Sequence, residues 1–292
     1  MNAGDSLIEQ FAQAALTAPR YEILPLPGAL TEIQTLPSGS VVTVTCSPRH
    51  GIGRTLDYAE TLTGLGFQAV PHIAARLVRD RNDLERLVER LAANGISEVF
   101  IVGGDAAEPQ GSYADGLKLL EDLTRMTDKP ARIGVPAYPE GHPLIDPGRL
   151  RATLHAKSAM ADYAVTQLCF DAGTLLAWLQ CERDAGLHLP VYAGLPGTME
   201  RRKLLALGLR LGLGPSLRLL RQRSGLLGAA LTGQHYQADE LLQALAPALT
   251  DPENNLAGVH LFTFNQVDVT RRWLVQMTQD LGLSFSGSYS AR

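Results

Sequence analysis

Eight times along the chain, a short β-branched or apolar run is followed by a longer amphipathic segment, and this alternation constrains the fold more than any other feature of the sequence. The runs are Tyr21–Leu24, Val41–Thr45, Ala69–His72, Val99–Val102, Arg132–Val135, Tyr163–Thr166, Leu189–Ala193 and Val259–Thr263. Between them lie helical patterns. In Asn82–Ala93, Leu84, Leu87, Val88 and Leu91 share one face, and Asp115–Thr124 carries Leu117, Leu119, Leu120 and Leu123. Strands joined by crossover helices make a parallel sheet. Eight such units in 292 residues, with no composition break or linker between halves, predict a single α/β domain over residues 1–292, a (β/α)8 TIM barrel. An open, doubly wound sheet is the alternative. The irregular stretch is 194–252, read as a helical insertion before the eighth strand. It holds a helix from Thr198 to about Leu209, a glycine-rich break ending at Gly214–Pro215, and a second helix carrying Arg218 and Arg221.

With 45% hydrophobic residues the chain can bury a large core. Its net charge of −4 leaves no global attraction for nucleic-acid phosphates, so a small-molecule partner is expected. Cys46, Cys169 and Cys181 are odd in number and far apart, which fits neither a CxxC pair nor a disulfide framework and suits a reducing cytoplasm. The first residues carry Asp5 and Glu9 and no basic segment before an apolar run, so no signal peptide is expected. No stretch approaches the roughly 18 apolar residues of a membrane span.

A barrel gathers its chemistry at the C-terminal ends of its strands. The polar residues at those ends are Glu22, Thr45, His72, Asp105, Tyr138, Glu140, His142, Gln167 and Asn265. Any one of them has a plain explanation, since strand ends are where a chain leaves the core; their coincidence on one rim favours a site. Three groups stand out. Val99–Asp105 is a buried strand running into two glycines and an acid, a place where backbone can approach a flat ligand and Asp105 can accept hydrogen bonds from an amino-pyrimidine edge. AYPEGHP, residues 137–143, brings together an aromatic, an acid and an imidazole with two stiffening prolines. Gln167 ends the sixth strand with a neutral amide that can both donate and accept. Glu22, in YEILPLPG, is flanked by apolar residues whose desolvating effect raises a carboxyl pKa toward the range useful for general-acid catalysis. Metal-site spacing of His and Cys, GxSxG, a phosphate-binding loop ending in Lys-Ser/Thr, and GxGxxG after the first strand are all lacking.

These stations, in this order, resemble the methylenetetrahydrofolate reductase family over nearly the whole chain. YEILPLPG is similar to its early acidic segment ending in prolines, VTVTC to SVTY, VPHI to APHL, GGD to RGD, AYPEGHP to AYPExHP, VTQLCFD to ITQxFFD and VHLFTFN to HFYTLN. AYPEGHP and TQLCFD are the most specific. The resemblance implies hydride transfer between NADH or NADPH and 5,10-methylenetetrahydrofolate, giving 5-methyltetrahydrofolate, or the reverse oxidation, through FAD. It implies Glu22 as general acid for opening the folate ring and Asp105 as the anion that stabilises the resulting cation and contacts the pterin. Gln167 and Thr45 then bind the folate. Thr45, His72, Gly104, Tyr113, Ala114, Tyr138, His142 and Lys157 surround the flavin, and a homo-oligomer in one-carbon metabolism is implied.

The sequence departs from the family where a flavin pyrophosphate would be held. Gly103 replaces the arginine of RGD, Ala156 a second basic residue, and Met160 a small glycine. Each charge-assisted phosphate contact contributes about 1.5–3 kcal/mol, so direct transfer from nicotinamide to folate is an alternative to the flavin route. Arg218, Arg221 and Arg223 are candidates for a glutamyl tail, or simply a solvated helix face. The other readings are a non-catalytic folate- or flavin-binding barrel and a pterin methyltransferase built on a barrel.

Overall fold

Hydrogen-bonded pairing of the first strand with the last closes the sheet. In the computed structural model, which describes residues 19–200, 235–236 and 238–280, Arg20 pairs with His260, Tyr21 with Leu261 and Glu22 with Phe262. The wall consists of β1 (Arg20–Ile23), β2 (Val41–Val44), β3 (Gln68–Ala74), β4 (Glu98–Val102), β5 (Arg132–Ala137), β6 (Tyr163–Thr166), β7 (Val191–Pro196) and β10 (Leu256–Phe262). Every neighbouring pair is parallel, so the chain is a (β/α)8 barrel and the open-sheet alternative is excluded. Two short strands, β8 (Met199–Glu200) and β9 (His235–Tyr236), pair antiparallel outside the wall.

Among the described residues the helices are α1 (Ala29–Ile33), α2 (Gly51–Gly64), α3 (Arg81–Ala93), α4 (Gly116–Thr124), α5 (Pro147–Ser158), α6 (Ala172–Asp184), α7 (Asp239–Thr250) and α8 (Val267–Asp280). Four of them begin on an aspartate. Asp80, Asp115, Asp146 and Asp171 each accept hydrogen bonds from main-chain N–H groups of the first turn, which stabilises each start by about 1 kcal/mol. On α3 the buried residues are Leu84, Leu87, Val88 and Leu91, the face read from the sequence. On α4, Leu119, Leu120 and Leu123 are buried while Leu117 is only half so. No helix among the described residues is long and apolar enough to cross a membrane.

Side chains alternate across the wall. Tyr21 and Ile23 of β1 join the large core shared with the helices, while Arg20 and Glu22 point into the barrel. The floor of the interior is polar and aromatic. The Arg20 guanidinium lies 4.5 Å from the Tyr163 ring centroid and 5.0 Å from that of Tyr192; it donates to Glu98 and to the Tyr163 hydroxyl. A side chain at Gly134 would collide with the Tyr163 ring, its Cβ coming within 2.3 Å, so glycine there makes room for the floor.

All eight strands read from the sequence are present, with shifted ends. β3 runs on to Ala74, β5 to Ala137 and β7 to Pro196, because ladder pairing such as Ala74 with Val102 and Ala137 with Thr166 continues beyond the apolar run. The helix expected from Thr198 is corrected at its start. Residues 199 and 200 are extended and pair with 236 and 235. The remainder of that helix, the one carrying Arg218 and Arg221, and Arg223 lie outside the described residues.

Candidate active site

Glu22 occupies the next-to-last position of β1, and the end of β10 grips it through its main chain. The Thr263 hydroxyl donates to the Glu22 carbonyl at 2.6 Å, joined by the Thr263 N–H at 3.3 Å. One step further, the Asn265 side chain accepts from the Leu24 N–H at 2.8 Å and donates to the Leu24 carbonyl at 3.1 Å. This clamp requires unusual backbone: Phe264 and Asn265 are both left-handed, at φ 47° and 64°. Such conformations cost on the order of 1–3 kcal/mol each and persist where surrounding contacts impose them.

The Glu22 side chain turns inward to meet two imidazoles. Its Oε2 lies 3.1 Å from Nε2 of His260 and 3.7 Å from Nε2 of His72. Burial dominates the electrostatics of all three groups. Desolvation pushes the Glu22 carboxyl up to about 7, opposed by the nearby His72. His72 is pushed down to about 4 by desolvation, with Glu22 pulling the other way and His260 and Arg20 adding to the fall. Desolvation, then the Arg20 charge below, takes His260 down to about 3. Around neutral pH the cluster therefore holds a carboxylic acid that readily gains and loses its proton between two neutral imidazoles.

Asp105 stands on the same rim, in the exposed turn after β4. Its charge reaches the loops after β2 and β5, raising the pKa of Cys46 and of Tyr138, although desolvation is the larger cause at both; Tyr138 is pushed up to about 12. Gly104, just before it, is left-handed at φ 93°, and a Cβ there would stand 2.9 Å from the Ala74 Cβ, so the turn packs tightly onto β3. Gln167 folds its Oε1 back onto the Leu168 N–H at 2.8 Å, leaving the amide nitrogen as the donor it can offer. Thr45 continues β2 past its end, its N–H on the Ile23 carbonyl. The Tyr138 and His142 rings meet edge to face at 5.3 Å.

The remaining residues singled out in the sequence lie around the start of α4. Tyr113 is buried in the core, its hydroxyl donating to Asp122, so its side chain is part of the wall and only its main chain can face a ligand. The Ala114 carbonyl accepts from Arg76, whose guanidinium also holds the Ala107 carbonyl. Lys157 is buried and desolvation lowers its pKa, the Asp115 charge opposing. Its Nζ lies 3.4 Å from where a Cβ on Gly116 would be. A phosphate there would oppose the desolvation by stabilising the charged ammonium, so Lys157 fits one anionic group of a dinucleotide. His72, by contrast, sits below the mouth against Phe100, ring centroids 4.8 Å apart.

His260, Thr263 and Arg76 were not among the residues read as functional. A lone imidazole inside the apolar run LAGVHLF is the signal that could have found His260. No His, Cys, Asp or Glu cluster suited to a metal ion occurs among the described residues.

Comparison with known proteins adds a family. The family model described as "Methylenetetrahydrofolate reductase" matches residues 29–204, more than half of the chain. "Methylenetetrahydrofolate reductase (NADH) 1" of Zea mays is 29% identical over 130 residues, covering 38% of this chain and 22% of that protein; the matched part is thus under a quarter of the plant protein. Among solved structures, an uncharacterized protein from Clostridium thermocellum that binds two copies of 5-methyl-5,6,7,8-tetrahydrofolic acid superposes with a TM-score of 0.62. It is 13% identical and covers 94% of this chain and 98% of its own, a likeness of fold. A GH18 chitinase from Cycas revoluta reaches a TM-score of only 0.48 at 12% identity, covering 91% of this chain and 100% of its own.

Proposed function

Since the chain belongs to the methylenetetrahydrofolate reductase family, we propose that it moves a hydride between NADH or NADPH and 5,10-methylenetetrahydrofolate, producing 5-methyltetrahydrofolate or running in reverse. The observation that carries this reading is Glu22: a buried carboxylic acid with its pKa raised to about 7, on the rim that also bears the exposed carboxylate of Asp105. Opening the five-membered ring of the substrate leaves a basic nitrogen that needs a proton and a cation that needs a neighbouring anion. Glu22 supplies the proton to the leaving nitrogen. Asp105, ionised, stabilises the iminium cation and accepts from the amino-pyrimidine edge, while the Gln167 amide nitrogen donates to the pterin. A barrel of similar fold that binds 5-methyltetrahydrofolic acid is in keeping with a folate at this mouth.

FAD, when bound, supplies a two-electron relay between nicotinamide and folate. Thr45, Gly104, Tyr138 and His142 would line its ring, the main chain at Tyr113 and Ala114 its ribityl and phosphate portion, and Lys157 one phosphate. His72 would be among the residues around it. A second reading, direct transfer from nicotinamide to folate, is favoured by Gly103 and Ala156, neutral residues where the family resemblance expects basic partners for a flavin pyrophosphate.

The test is the purified protein given NADH and 5,10-methylenetetrahydrofolate. The reading expects NADH oxidation matched by 5-methyltetrahydrofolate formation. A flavin absorption band in the active protein supports the relay, and a colourless active protein the direct route. Folate binding without NADH oxidation, with either nicotinamide, overturns the reductase reading in favour of a binding protein.

A further inference from the structure

The cluster inside the barrel contains more order than a proton donor alone requires. We propose that His260 is the positioning residue of Glu22: its Nε2–H holds Oε2 as an acceptor, so that the acidic proton is carried on Oε1, the oxygen left for the substrate.

This deepens the reading of Glu22 as proton donor and rests on it. A neutral imidazole has one N–H and one lone pair. Nδ1 of His260 is buried and has no partner, while Nε2 is 3.1 Å from Oε2. If the hydrogen were on Nδ1, a buried N–H would be orphaned, at a cost of about 1–3 kcal/mol, and Nε2 would turn a lone pair toward a carboxylate whenever Glu22 is ionised. With the hydrogen on Nε2, the donor meets Oε2 whether Glu22 is a carboxylic acid or a carboxylate, and the orphan is an acceptor, the less costly kind. The bond survives the proton transfer unchanged, so Glu22 gives up the proton on Oε1 without the imidazole changing its own.

His72 does not substitute for this contact. Its Nε2 is 3.7 Å from the same oxygen and makes no hydrogen bond. Among the described residues, those facing His260 are Glu22 and Arg20 on β1, His72 on β3, and the Phe262 ring at 5.0 Å on its own strand, while its β7 partner, Gly194, brings no side chain. Arg20 disfavours a charged imidazole, keeping His260 a neutral donor. Three residues on, just past the end of β10, comes Thr263, which binds the Glu22 carbonyl, so one segment fixes both the main chain and the side chain of the acid.

The experiment is 15N NMR of the full-length protein labelled at histidine, paired with kinetics of two variants. His260 is expected as the neutral Nε2–H tautomer between pH 5.5 and 8.5, with a shift inflection near pH 7 that disappears in Glu22→Gln. His260→Leu is expected to lose about tenfold or more in kcat with little change in KM for folate, its acid limb displaced along the pH axis. His260→Gln, which keeps an N–H near the position of Nε2, recovers most of that loss. An Nδ1–H tautomer, or protonation of His260 near an ordinary 6.5, overturns the proposal; so does equal loss in the Gln and Leu variants, which marks a merely structural side chain. Should the tautomer and the Glu22-dependent inflection appear in a protein that does not reduce folate, the positioning contact stands and the reductase reading fails.

Discussion

The side-chain amide of Asn265 pairs with both main-chain groups of Leu24, accepting from its N–H at 2.8 Å and donating to its carbonyl at 3.1 Å. It acts as one more rung of the β1–β10 ladder, placed where the backbone of β10 has already turned left-handed. The strand that closes the barrel thereby also fixes the exit of β1, immediately after Glu22.

Asn265→Ala removes both bonds and puts a Cβ-bearing residue with no compensating side chain at φ 64°. A destabilisation of roughly 2–3 kcal/mol is expected, and about 1 kcal/mol less for Asn265→Gly, which tolerates that conformation. Urea unfolding checks it; equal losses in the two variants would mean that the conformation contributes no strain.

The pH dependence of stability follows from the same cluster. The folded pKa of Glu22 lies near 7 against an ordinary 4.5, so the folded state binds the extra proton between those values. Its contribution is fully present below about pH 4.5 and is lost as pH rises through 7. His72 and His260 have folded values near 4 and 3 against 6.5, and theirs is present above 6.5 and lost as pH falls through 4 and 3. Glu22→Gln removes the first contribution and, by taking away the charge that raises His72, alters the second mainly below pH 5. Measured by chemical denaturation, the stability of this variant relative to the unmodified protein should rise by roughly 2–3 kcal/mol between pH 5 and pH 8. A difference independent of pH would show that Glu22 titrates normally.

Asp105 is exposed, so Asp105→Asn should leave stability within about 0.5 kcal/mol. Folate turnover should nonetheless fall by about 100-fold, as expected when an electrostatic stabiliser of a developing charge is neutralised. Steady-state kinetics and unfolding of the same preparation check both halves, and an active variant would remove Asp105 from the site.

Lys157→Met replaces a desolvated ammonium by an apolar side chain of similar length, and the fold should be retained. Binding of a flavin or nicotinamide dinucleotide, followed by titration calorimetry, should weaken by about 10- to 100-fold. Unchanged affinity for both would place the phosphates elsewhere.

Much of this architecture is legible in the amino-acid order because parallel strands buried on both faces must be apolar runs. Glu22 is visible as an acid interrupting such a run before two prolines. His260 interrupts another, but lies within its strand, and attention to strand ends passes over it. Its parity becomes meaningful only once the β1–β10 register sets Arg20 opposite His260 and Glu22 opposite Phe262. The left-handed Phe264 has no signature, since a phenylalanine rarely adopts that conformation. β8 and β9 are two residues each, too short for any pattern. Tyr113 reads as a loop aromatic, and only the position of Asp122 on α4 shows why its ring turns inward.

In the proposed reaction Glu22 delivers the proton during folate reduction. Rapid mixing of Glu22→Gln with NADH and 5,10-methylenetetrahydrofolate across pH 5–9 tests it most directly. The expected result is that 5-methyltetrahydrofolate formation falls by at least about 100-fold and loses its inflection near pH 7, while NADH still binds, and still reduces any flavin present, as in the unmodified protein. A variant that reduces folate at the original rate with the original pH profile would contradict it.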